Sequence, residues 1–158
     1  TGSYAVSSPL QVQARQILEV TLSFLTNDAP HYDAGQCYLV ANGQQIALLF
    51  SVWAGPQNQN VINIVPVSPG VALAPPTAMF LGNTVPLGGL TYGPQRRDQV
   101  LNQMIIGGSI PWITTSYAPA QSGDYQILLA MFNTQGNGTN SALTLSSIRR
   151  GGHELLHL

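Results

Sequence analysis

Five residues near the end of the chain, His153-Glu154-Leu155-Leu156-His157, fit the pattern H-E-x-x-H. On a helix this spacing sets two imidazoles one turn apart on one face, where they bind Zn²⁺, and the glutamate between them activates a metal-bound water. His31 is the one remaining histidine and the natural third ligand of such a site. Gly151-Gly152 stand where a zinc-peptidase helix would continue, so a C-terminal tail over 149–158, or a zinc contact between subunits, competes with a zinc-dependent hydrolase for the same residues. Asn27, Asp28 and Asp33 crowd a second short stretch and offer the hard oxygens that Ca²⁺ takes. Their competing role is turn chemistry, in which Asp and Asn side chains bond nearby backbone N–H groups. Trp53 and Trp112, with Tyr32, Tyr92 and Tyr117, supply flat faces for stacking a sugar where they are exposed, and core packing where they are not.

The remaining reactive side chains point away from catalysis. Cys37 is the sole cysteine, so no intrachain disulfide exists, and its setting in Gln36-Cys37-Tyr38-Leu39-Val40 reads as a buried position in a strand. Arg96-Arg97 and Arg149-Arg150 are isolated pairs, suited to salt bridges or to carbonyl acceptors rather than to a binding patch. Asn137-Gly138-Thr139 matches an N-glycosylation acceptor. No G-x-S-x-G, phosphate-binding loop or dinucleotide glycine pattern occurs. The chain therefore reads as a non-enzyme that requires no cofactor, with Zn²⁺ or Ca²⁺ as optional ligands.

The elements that must position these residues are strands. Leu18, Val20, Leu22 and Phe24 alternate with Glu19, Thr21 and Ser23, a period of two that turns one face inward. Asn42-Gly43 separates Tyr38-Leu39-Val40 from Ile46 to Val52 and accepts positive φ, which predicts a hairpin turn. Val61 to Val65 is a further short β-branched run, and the proline-punctuated stretch from Pro66 to Pro94 holds only short edge pieces such as Ala78 to Leu81. Asp98, Val100, Leu101, Met104 and Ile105, stopped by Gly107-Gly108, predict one short helix near 98–106, with a bulged strand as the alternative. Trp112 to Tyr117, Asp124 to Phe132 and Ser141 to Ile148 complete the strands. The expected architecture is an all-β antiparallel sandwich of jelly-roll type, one domain over residues 1–158.

Composition then narrows the function. Only 7% of the 158 residues are charged, against an ordinary share of about 25%, and all five basic residues are arginine. From Ala34 to Gln95 there is no ionisable acid or base except Tyr38, Cys37 and Tyr92, and across the chain 14 Gln and 10 Asn outnumber the eleven charged side chains. A net charge of -1 gives no footprint for nucleic acid and no attraction to an anionic membrane surface. No apolar run approaches the ~18 residues of a transmembrane helix. A neutral, amide-rich surface repels copies of itself weakly and favours association with itself or with another neutral polymer.

Two stretches carry a resemblance. Leu22-Ser23-Phe24-Leu25-Thr26-Asn27-Asp28-Ala29-Pro30-His31-Tyr32-Asp33, followed by a strand and Asn42-Gly43, resembles a segment of the secreted bacterial β-sandwich domains of PEP-CTERM and related surface-sorted proteins. Ser122-Gly123-Asp124-Tyr125-Gln126-Ile127-Leu128-Leu129, with Asn140 to Ile148, is similar to the ending of those domains, although Asn140 and Ser146-Ser147 stand where that ending carries acids. The resemblance implies an exported, non-catalytic sandwich of the cell surface or matrix, and no sorting tail follows Ile148. The resulting expectation is an extracellular structural subunit that assembles with copies of itself into a filament, layer or matrix, or an adhesive module. Residues 1–14 would exchange as a strand into a neighbour's sheet, with Tyr4 and Val6 as anchors. The alternative is a carbohydrate-binding module that uses Trp53 and Trp112, with an optional Ca²⁺.

Overall fold

A computed structural model describes residues 2–27, 33–54, 62–64, 67–77, 81, 85–87, 90–92, 96–97, 104–105, 107–133 and 141–157. Its strands are β1 (Gly2–Val6), β2 (Leu10–Val12), β3 (Leu18–Thr26), β4 (Asp33–Ala41), β5 (Gln44–Ala54), β6 (Ile62–Ile64), β7 (Ala72–Ala74) and β8 (Val85–Leu87). They continue with β9 (Leu90–Tyr92), β10 (Arg96–Arg97), β11 (Met104–Ile105), β12 (Gly108–Ser109), β13 (Ile113–Tyr117), β14 (Gly123–Asn133), β15 (Ser141–Arg150) and β16 (His153–His157). The protein is all-β, as the period-two patterns require. Among the described residues there is no helix, and so none long and apolar enough to cross a membrane.

Two six-stranded antiparallel sheets form a β-sandwich. The first runs β1-β14-β4-β5-β6, with β2 also on β14, and the second runs β16-β15-β3-β13-β7, with β12 also on β3. Between them lies one core in which Leu18, Val20, Leu22 and Phe24 of β3 meet Cys37 and Leu39 of β4, Phe50 and Val52 of β5, and Ile127 of β14. The even-numbered residues of β3 are the buried set that alternation demands. Strand β5 is apolar on both faces for a local reason. Its register against β4 jumps from Cys37↔Phe50 to Tyr38↔Leu48, so Leu49 is an extra residue, and both Leu49 and Phe50 become buried. Thr115 Oγ1 donates across the core to the Leu49 carbonyl at 2.6 Å, so a group displaced by the bulge finds its partner on the opposite sheet.

The Asn42-Gly43 turn forms as the sequence predicts, with φ of 51° and 73°, the pair of left-handed residues that a tight hairpin between right-twisted strands needs. Three expectations change. Met104–Ile105 is a strand paired with Arg96–Arg97, not part of a helix, because the local i, i+4 spacing lost to cross-strand pairing; residues 98–103 lie outside the described residues, as do Ala78 to Phe80 and Asn137 to Thr139. Residues 149–158 are not a tail. Strand β15 continues to Arg150, Gly151 and Gly152 turn at φ of 55° and 81°, and β16 returns along it with Arg150↔His153 and Ile148↔Leu156 paired. Within residues 1–14, β1 pairs in its own molecule with β14 from Gly2↔Phe132 to Val6↔Leu128, and β2 follows on the same strand. The segment predicted to exchange thus closes its own sheet here. The stretch from Pro66 to Pro94 holds short pieces, as expected: β7, β8 and β9 have three residues each, the last two pairing with each other.

Candidate functional site

The H-E-x-x-H residues lie on β16, and the strand removes the geometry that made them a zinc motif. Positions four apart on a helix are neighbours about 6 Å apart. On a strand rising about 3.3 Å per residue their backbone positions are about 13 Å apart, so the spacing no longer sets the two imidazoles side by side about one ion. The His153 side chain is exposed to solvent. Glu154 stands opposite Arg149, which stands in turn opposite Glu19, so the motif's glutamate ends an acid–base–acid row across three strands. Tertiary pairing overrode a pattern whose chemistry presumes a helix. His31, its proposed third ligand, lies outside the described residues.

The proposed Ca²⁺ residues are partly assembled, with a different chemistry. Asp28 lies outside the described residues, Asn27 follows the end of β3, and Asp33 begins β4 with its side chain fully buried. The Asp33 carboxylate does not face solvent. Ser141 Oγ lies 2.5 Å from Asp33 Oδ2 and 2.8 Å from Thr26 Oγ1, which ties the start of β15, the end of β3 and the start of β4 together. A hydroxyl has one hydrogen, so Ser141 gives it to the carboxylate and accepts from Thr26. Among the described residues no three His, Cys, Asp or Glu side chains gather where a metal ion would sit.

Cys37 is fully buried in the core, and burial pushes its thiol far above the ordinary range, which leaves a small hydrophobe without a nucleophile. Arg150 donates to the Gln11 carbonyl, the acceptor type expected for the arginine pairs. Trp53 is half-buried in β5 beside Ala34 and Asn63 in the ladder. Trp112 is 53% exposed and borders a groove of about 750 Å³ on the outer face of the second sheet. Tyr4 is 79% exposed and Val6 48%, and every residue of β1 is exposed, although Val6 and Tyr4 alternate with Ser3 and Ala5 as in a strand with one face inward.

Sequence reading missed the groove, because its floor comes from β3 and β15 and its rim from Leu81, Val85 and Leu87, residues distant in the chain. The one local signal was the outward pair Ser23 and Leu25, of which Leu25 is only 3% exposed although it points away from the core set of β3. An outward residue that is nonetheless covered marks a segment crossing the sheet. Comparison with known proteins found no matching family model, no matching curated protein and no matching solved structure.

Proposed function

We propose that the protein is a non-catalytic structural module of an extracellular surface or matrix, which associates with copies of itself through β1. The observation that carries this reading is the contrast between β1 and the other sheet edges. Exposed edges invite pairing, and proteins block them with short strands, prolines, bulges or charge. Strand β6 has three residues; β7 also has three and runs directly into Pro75-Pro76; β16 carries Glu154 and a bulge at Leu155. Strand β1 has five residues without charge, proline or bulge, and the first charged side chain of the chain is Arg15.

The attachment of β1 suits such a role. All of its residues are exposed, so the ladder to β14 and the clamp at Ser7 do most to hold it. There Ser7 N donates to the Ile127 carbonyl, Ile127 N to Ser7 Oγ and Gln126 Nε2 to the Ser7 carbonyl, each at 2.9 Å. Its outer edge has no partner among the described residues. Two copies joined antiparallel at these edges would make one continuous sheet about a two-fold axis, an isologous contact in which Tyr4 of each copy approaches the other. The low charge of the whole chain and its resemblance to surface-sorted domains support placement outside the cell. The test is the mass in solution by light scattering across a concentration series. The wild type is expected to form dimers or larger species, and Tyr4→Lys, which sets like charges against each other, to be monomeric with an unchanged circular dichroism spectrum. A wild type that stays monomeric at high concentration would overturn the reading.

A further inference from the structure

The groove beside Trp112 lies on the outer face of the second sheet, away from β1, and no step above uses it. Its floor is built from residues that point out of the sandwich, Ser23 of β3 and Thr144 of β15, which face each other in the ladder. Ser23 Oγ donates to the Ile110 carbonyl at 2.7 Å and Thr144 Oγ1 to the Ser23 carbonyl at 3.1 Å. Both hydroxyl hydrogens are therefore spent within the protein; Ser23 is itself buried, and the oxygen of the half-buried Thr144 remains an acceptor toward the groove. Ser146 adds a third hydroxyl. It is the extra residue where the β15 register jumps from Leu145↔Leu22 to Ser147↔Thr21, and bulges of this kind re-aim a side chain. At the rim stand Trp112 and Leu87, the latter 40% exposed. None of the described residues that line the groove carries a charge.

We infer that this groove binds a neutral glycan segment, with one sugar ring stacked on the Trp112 indole and its hydroxyls donating to the oxygens of the half-buried Thr144 and Ser146. The described lining offers nothing to balance a phosphate, sulfate or carboxylate, which favours a neutral ligand. The hydroxyls of Thr144 and Ser146 on an otherwise largely apolar lining favour a ligand that carries both donors and apolar faces, as a sugar ring does. An exposed tryptophan supplies a flat apolar face for the C–H side of a sugar ring. About 750 Å³ is the size of a site for a short oligosaccharide rather than for a single sugar.

The chain has two tryptophans, so Trp53→Phe leaves Trp112 as the sole indole reporter. This variant is titrated with neutral hexasaccharides of glucose, mannose, galactose and N-acetylglucosamine, followed by fluorescence and by calorimetry on the wild type. At least one is expected to saturate the signal, and Trp112→Ala to weaken it by about tenfold or more. Leu87→Lys, a change at an exposed rim position, gives a second check that does not depend on the folding of the tryptophan variant; it is expected to weaken the same hexasaccharide. Silence from all four sugars, or binding that Trp112→Ala leaves intact, would overturn the proposal. So would saturable uptake of dodecanol without any response to sugars, which would assign the groove to an apolar chain. None of these outcomes bears on β1, and a monomeric Tyr4→Lys is expected to bind sugar as the wild type does.

Discussion

Thr115 shows how a single side chain decides whether a bulge is tolerable. The extra residue at Leu49 gives β5 two consecutive buried apolar side chains, at the cost of a carbonyl out of step with the ladder, and the Thr115 hydroxyl meets that carbonyl inside the core. Replacing the donor with an isosteric methyl leaves a buried acceptor bare, so Thr115→Val is expected to cost about 1–3 kcal/mol in denaturant unfolding, although it makes the core more apolar. Asp33 is a second such case. Its carboxylate organises the hydroxyls of Ser141 and Thr26 where three strands begin or end. Asp33→Ala strips Ser141 of its acceptor and loosens the Thr26 hydroxyl that leans on it, and is expected to cost as much or more, whether or not a chelator is present. Cys37 gives a pH dependence. Its thiol is raised by burial, so the folded protein holds the proton more tightly than the unfolded chain does. The contribution is fully present below the free thiol's pKa of about 8.5 and is lost as pH rises above it, because only the unfolded chain then gains by ionising. Stability of the wild type should therefore fall relative to Cys37→Ala between about pH 8 and 10, as read from chemical denaturation midpoints.

Elements defined by local pattern were legible, and elements defined by partners were not. The alternation from Leu18 to Phe24 and the Asn42-Gly43 turn depend on residues a few positions apart, and both appear where the sequence places them. Met104-Ile105 and His153 to His157 carry helical spacing, yet each ends in a strand because a neighbouring strand supplied hydrogen bonds that no local pattern reveals. Gly151-Gly152 held the missing clue, since two glycines after an alternating run are as much a hairpin turn as a helix stop. The two glycines are not equivalent. At Gly151, φ is 55° and a Cβ would sit 2.9 Å from Gln16 Nε2, whereas at Gly152 a Cβ would meet nothing within 4 Å. Gly151→Ala is therefore expected to lower stability by about 1–2 kcal/mol through the left-handed conformation alone, and Gly152→Asn, a residue that accepts positive φ, by much less. Equal losses at the two positions in thermal unfolding would mean that the β15–β16 turn is not the one described. The candidate site divides the same way. Trp112 and the hydroxyls of the groove are visible as residue types, but their convergence depends on a bulge at Ser146 and on a crossing segment near Leu81.

At the scale of the whole molecule the scarcity of charge has a consequence that can be measured without any ligand. Proteins held together by ion pairs loosen as salt screens them, with a Debye length of about 10 Å at 0.1 M that shrinks to about 3 Å at 1 M. The β1 edge has no charged side chain to screen: Gly2 to Ala14 hold none, and β14, its neighbour, carries only Asp124, at the end paired with β2 rather than with β1. Association through β1 would rest on main-chain hydrogen bonds and on the apolar parts of Tyr4 and Val6, which salt affects weakly or, for strongly hydrated ions, strengthens. The dissociation constant from sedimentation equilibrium should therefore change by less than about threefold between 0.05 and 0.5 M NaCl, and fall on addition of sulfate. A steep weakening with NaCl would move the contact elsewhere. The row of Glu19, Arg149 and Glu154 on the second sheet would then be the place to look, because it is where the described part of this sparsely charged chain gathers opposite charges across neighbouring strands.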